Sequence, residues 1–114
     1  MTDDEALRVV GHLLEHHPTT TAEARDRDGA RTDSCAESAC YWCLAGAIDV
    51  VCTRAAGRMR MLNSDVFMRA FMLLFPGHED GGQSCRRLVQ AWDLGGPEWR
   101  AQAVERLKTA GLEP

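Results

Sequence analysis

The sequence predicts an all-α fold: a compact single domain over residues 1–114, built from about five short helices. It leaves room for a small irregular hairpin in 19–33. Three observations carry that expectation. The chain has 114 residues, enough for one modest core and too few for a two-domain enzyme, a barrel or a solenoid array. Apolar residues recur at helical spacing in most segments. Start and stop signals bracket those segments. The hydrophobic share of 45% is too high for a disordered chain, and the formal charge of −4 argues against a general nucleic-acid binder, which needs a basic surplus.

The first helix opens on Thr2-Asp3-Asp4-Glu5, a capping-box pattern with its acids at the positive end of the helix dipole. Ala6, Leu7, Val10, Leu13, Leu14 and His17 keep the period, and Pro18 stops it. Residues 19–33 are polar, with Asp28-Gly29 as a turn signal. Ser34-Cys35-Ala36-Glu37 is a second capping-box pattern. It predicts a helix with Cys40, Cys43 or Leu44, Ala47, Ile48 and Val51 inward and Gly57 as its terminal cap. Arg58 to Leu62 alternates Arg and Met too briefly to define an element. Asn63 and Ser64 can cap a third helix that runs to Phe75 and ends at Pro76-Gly77. A fourth places Cys85, Leu88, Val89 and Trp92 on one face and stops at Gly95-Gly96. A fifth starts at Pro97 and packs Trp99, Ala103, Leu107 and Ala110.

The acidic N-terminus is the opposite of a secretory leader, and the longest apolar run, Val66 to Phe75, falls short of the roughly 20 residues that span a bilayer. A cytoplasmic protein with no membrane contact is expected. Its five cysteines are an odd number, so free thiols are expected over a disulfide framework.

Several constellations bear on chemistry. Cys40-Tyr41-Trp42-Cys43 is a C-x-x-C, but the strand–helix alternation of thiol redox proteins is not predicted, and small apolar residues on one helix face explain it better. Zinc would draw on Cys40 and Cys43 with His12 and His16. A second cysteine pair is missing, and the histidines fall on the polar side of the first helix. Asp26, Asp28, Gly29 and Asp33 lack the terminal bidentate acid of a calcium loop. No cofactor is expected. Catalysis would have to centre on Ser64, Ser84 or Cys85 with His78, Glu79 and Asp80, and no nucleophile, phosphate-loop or metalloprotease motif supports an enzyme. Arg54, Arg58 and Arg60, with Arg86 and Arg87 on the fourth helix, are the candidate nucleic-acid contacts. No aromatic residues interleave with them as a base-stacking platform requires. The stretch from Val66 to Phe75 is apolar nearly all round. Phe67, Ala70, Phe71 and Leu74 satisfy one buried stripe, which leaves Met68, Met72 and Phe75 for a partner or for self-association.

Together, Ala24-Arg25-Asp26-Arg27-Asp28-Gly29, Trp42-Cys43-Leu44-Ala45-Gly46-Ala47, Trp92-Asp93 and the closing helix from Val104 to Ala110 resemble a family of small uncharacterised proteins of actinobacteria and their phages. Thr19-Thr20-Thr21-Ala22-Glu23 departs from that family, where a Gly-Trp-x-Gln-Gly stretch is usual. The resemblance implies a helical fold, with Gly46 and Ala47 permitting a close helix crossing beside a packed Trp42, and a bacterial or phage setting. The expected role is a non-enzymatic protein–protein interaction module. By analogy of size and charge it is an anti-CRISPR-like inhibitor that occludes a basic site on a nucleic-acid-handling complex. Candidate contacts are Asp3, Asp4, Glu79 and Asp80 for charge and Met68, Met72 and Phe75 for apolar area. The alternatives are a small nucleic-acid-binding regulator and, third, a thiol or zinc protein.

Overall fold

The computed structural model describes residues 1–55, 57, 64–79 and 82–112. Helix α1 spans Asp3–His16 and starts as its sequence requires: the Glu5 amide donates to Thr2 Oγ1 at 3.1 Å. The Thr2 hydroxyl in turn donates to Glu5 Oε1 at 3.2 Å, closing the capping box through side chains. Ala6, Leu7, Val10, Gly11 and Leu14 face inward, while His17, expected on that stripe, is exposed at the C-cap.

The all-α expectation is corrected by a small antiparallel sheet of order β2-β1-β3, formed by β1 (Ala24–Asp26), β2 (Arg31–Thr32) and β3 (Ala39–Trp42). The hairpin allowed in 19–33 is therefore present, with Gly29 at φ +87° in its turn. The Asp26 carboxylate accepts from the Asp28 and Ala30 amides there, each at 2.9 Å, an Asx turn that fixes the chain reversal.

The third strand was not expected. Ser34-Cys35-Ala36-Glu37 does not cap a helix: the Ser34 hydroxyl is wholly buried and donates to Asp49 Oδ2 instead. Ala24 pairs with Trp42 and Arg25 with Tyr41, with a bulge before Asp26 meets Ala39. Tyr41 and Trp42 favour a pleated backbone, and the Trp42 indole donates to the Ser34 carbonyl at 2.9 Å. Cys40 thus sits half-buried on a strand and not on a helical stripe.

Helix α2 begins ten residues after that false cap, at Leu44, and runs to Val50, with Cys43 as its N-cap residue. A π turn over Val51–Ala55 continues it. Leu44, Ala47, Ile48 and Val51 are buried as expected. Gly46 is needed for a different reason from the one expected. A Cβ there would lie 1.9 Å from the Glu23 carbonyl oxygen, so the close neighbour is the backbone leading into β1 and not a crossing helix.

Helix α3 (Ser64–Leu74) buries Val66, Ala70, Phe71 and Leu74, and Phe67 is half-buried. Helix α4 (Ser84–Leu94) faces inward through Ser84, Leu88 and Trp92. Cys85, expected on that face, is exposed, and Val89 is half-buried. Ser84 takes the inward place, which a hydrophobic pattern would give to cysteine over serine. Helix α5 (Gly96–Lys108) carries Pro97 in its first turn and buries Ala103, Val104 and Leu107. It lies closely along α1, where a Cβ on Gly11 would come within 2.7 Å of the Lys108 backbone nitrogen.

One continuous core joins the helices. The sheet is fastened to it through the 17–23 segment. The Trp92 indole donates to the Thr19 carbonyl at 2.8 Å, and Asp93 Oδ1 accepts from the Thr21 amide at 3.0 Å. Thr21 is held at φ +63°. That region is strained for a β-branched residue, at a cost of about 1–3 kcal/mol. The Arg25 guanidinium supports it by donating to Thr21 Oγ1 at 3.0 Å and to the Gly29 carbonyl at 2.9 Å. Among the described residues, no helix is long and apolar enough to cross a membrane.

Candidate functional site

The outward side of α3 arises from its own composition. Nine apolar residues among the ten from Val66 to Phe75 exceed what one buried stripe can cover, so some must face solvent. Met68 and Met72, four positions apart and hence on neighbouring turns of one face, are 45% and 57% exposed. Phe75, expected beside them, is instead drawn inward. Its ring stacks on Phe71 at 5.0 Å and on Trp99 of α5 at 5.9 Å, leaving it half-buried.

Arg69 lies between the methionines, and its Nε donates to Asp4 Oδ1 at 2.9 Å. This pair brings the first turn of α1, with Asp3 and Asp4, against α3. Both side chains are partly exposed, so the pair stabilises the fold by about 1 kcal/mol at most. Its larger effect is placement: carboxylates and exposed methionines from distant parts of the chain adjoin. Glu79 is exposed beyond the other end of α3, and Asp80 lies outside the described residues.

Among the described residues, the basic candidates do not assemble comparably. The Arg54 guanidinium donates to the Cys35 carbonyl, and Arg87 donates to the Glu79 carbonyl at 2.7 Å while lying over the Phe71 ring. Arg86 is exposed on α4. Arg58 and Arg60 lie outside the described residues.

The thiols divide by environment. Cys43 is buried, and its sulfur accepts from the Gly46 amide at 3.3 Å. A helix N-terminus usually lowers a thiol pKa, but here burial outweighs the Gly46 and Ala45 amides and pushes it up. The unfolded thiol therefore ionises first, and this group's contribution to stability is lost as pH rises through the ordinary thiol range. Cys40 shares no site with it: its sulfur donates to the Ser38 carbonyl at 3.5 Å. Desolvation, then the Asp49 charge, also raises Cys85. His12 and His16 are exposed on α1, with His12 Nδ1 3.9 Å from Glu15. Among the described residues, no three His, Cys, Asp or Glu side chains are arranged to hold a metal ion.

A thiol reagent at neutral pH should accordingly separate two classes. Cys43 and Cys52, both buried, are expected to react only after denaturation, while exposed Cys85 reacts in the native protein. Equal rates for all five in the folded state would refute this assignment.

Two clefts escaped the sequence reading. One, of about 360 Å³, lies between the C-terminal turn of α1, Trp92 and α5, with Pro18, Pro97 and Val104 in its walls. Its rim charges are already engaged. Lys108 Nζ is 2.9 Å from Glu15, an ion pair that lowers the Glu15 pKa and raises that of Lys108, and Arg100 donates to the Trp92 carbonyl at 2.8 Å. The other lies between α3 and α4 and gathers Gln90 with His78 and Arg87, the last two weighed separately in the sequence for catalysis and for nucleic acid. No periodicity signals their meeting, because they belong to a loop and a facing helix.

Arg25, Asp26, Trp42, Cys43, Trp92 and Asp93 each make a structural hydrogen bond, and those of Trp92 and Asp93 fasten the segment before β1 to α4. Comparison of the chain with protein-family models, with curated proteins and with solved structures finds no match.

Proposed function

We propose that this chain works by binding another protein through the outward side of α3 and the adjoining first turn of α1. The observation that carries the reading is the pair Met68 and Met72, both about half-exposed on one face, beside the Asp4–Arg69 contact. Methionine offers polarizable, adaptable apolar contact, and neighbouring carboxylates favour a basic partner surface. The net charge of −4 acts in the same direction. Within this reading the partner is a bacterial nucleic-acid-handling complex in the cytoplasm. The chain is a phage or mobile-element inhibitor, in keeping with the bacterial or phage setting that its motifs imply, and it blocks a basic site by occupying it. Phe75 contributes by supporting this face from beneath and not as a free contact, given its stacking on Trp99.

The test compares the wild-type chain, a Met68→Asp/Met72→Asp double variant and an Arg86→Glu control in capture from bacterial lysate. A stoichiometric partner is expected with the wild type and the control. The double variant should weaken its binding by about 30-fold, the loss of a hot spot of roughly 2 kcal/mol. Retention by the double variant would overturn the reading. Capture of no partner, together with salt-dependent binding of DNA that Arg86→Glu abolishes, would replace it with the nucleic-acid alternative. Light scattering on the purified chain separates a second copy of itself from any other partner.

A further inference from the structure

The cleft between the end of α3 and α4 has a composition suited to one kind of ligand. It encloses about 430 Å³, within the range of small-ligand and side-chain pockets. Phe71 and Phe75 form a stacked aromatic floor that continues to Trp99, with successive ring centroids 5.0 and 5.9 Å apart. The polar wall consists of His78, Arg87 and Gln90, and no acidic residue lines the cleft among the described residues. His78 stands edge-on to Phe75 at 6.1 Å. Arg87 lies 5.5 Å over the centre of the Phe71 ring and uses Nη1 on the Glu79 carbonyl, which holds the guanidinium in place over the floor.

We infer that this cleft is a docking site for a partner segment in which a glutamate or aspartate stands next to an aromatic residue. The carboxylate meets Arg87 and Gln90, a charge-assisted contact with a planar donor already oriented. The neighbouring ring meets the edge of Phe75 that borders the cleft, since Phe71 and Trp99 are already stacked on that ring. A free-standing arginine would serve a phosphate equally well. The aromatic floor favours a segment that brings apolar area along with its charge. The cleft shares Phe75 with the α3 face described above, but it requires a partner of opposite charge to the one proposed there, and it stands independently of that proposal.

The probes are acetyl-Phe-Glu-Phe-amide and its isosteric glutamine counterpart, titrated into the intact chain and followed by backbone amide shifts. The glutamate peptide is expected to shift the amides of Phe75, of residues 77–79 and of residues 87–91. The glutamine peptide should bind about tenfold more weakly, the size expected for one charged hydrogen-bonded contact. Arg87→Gln should weaken the glutamate peptide by a similar factor, and the Arg87→Gln protein should no longer distinguish the two peptides. Arg87→Lys should recover part of the loss, and Met72→Asp should change nothing, which separates this site from the α3 face. Unchanged thermal melting of the variants confirms that binding alone is altered. A preference for glutamate of less than about threefold, shifts centred elsewhere, or no binding at about 5 mM peptide would overturn the proposal.

Discussion

Replacing Gly46 with alanine is expected to destabilise the protein by about 3 kcal/mol or more, lowering its melting temperature by about 15 °C. In an ordinary helix the same change is favourable by about 1 kcal/mol, because alanine has the higher helix propensity. Here the added methyl would sit 1.9 Å from the Glu23 carbonyl oxygen, with the carbonyl carbon at 2.8 Å. Neither is the end of a flexible side chain that can swing away. The Glu23 carbonyl also accepts from the Cys43 amide at 3.1 Å, and Cys43 caps the helix that contains Gly46. Backing off from the methyl therefore breaks the joint between β1 and α2. Thermal unfolding followed by circular dichroism measures the effect; a loss under about 1 kcal/mol would mean that the joint yields.

Trp92→Ala ranks beside it, at about 3–5 kcal/mol for removing a large, fully buried side chain. Trp92 is 1% exposed and its indole satisfies the Thr19 carbonyl, so two separate losses are superimposed. Trp92→Phe divides them. It keeps most of the apolar volume and leaves Thr19 without its donor, which costs about 1–3 kcal/mol. Chemical denaturation of the two variants should therefore rank alanine well above phenylalanine. Equal destabilisation would assign nearly the whole effect to the hydrogen bond.

How far the sequence revealed this structure depends on the range of the interactions concerned. Helices α1 and α5 were legible because their caps, periods and stops lie within each segment: Thr2 with Glu5, Pro18 after His17, Pro97 after Gly96. The sheet was not. Its strands hold two to four residues, too few for any period to register, and side chains from α4 secure the segment that leads into them. The Ser34-to-Glu37 pattern misled because a local cap competes with a buried partner, and Asp49 won the Ser34 hydroxyl. In the candidate face, Met68 and Met72 were readable from helical spacing. Phe75 was misplaced because Trp99, on another helix, claims its ring. The Asp4–Arg69 contact joins the two ends of that face across a distance in sequence that no local pattern covers.

The indole-to-carbonyl bond between Trp92 and Thr19 connects positions 73 apart in the chain. A sheet of such short strands has no independent stability, so it cannot wait, preformed, for the fourth helix to arrive. Docking of that helix and ordering of the sheet are then one event, governed by closure of a long loop and not by local propensity. Local opening of the sheet is correspondingly tied to release of the helix on which it hangs.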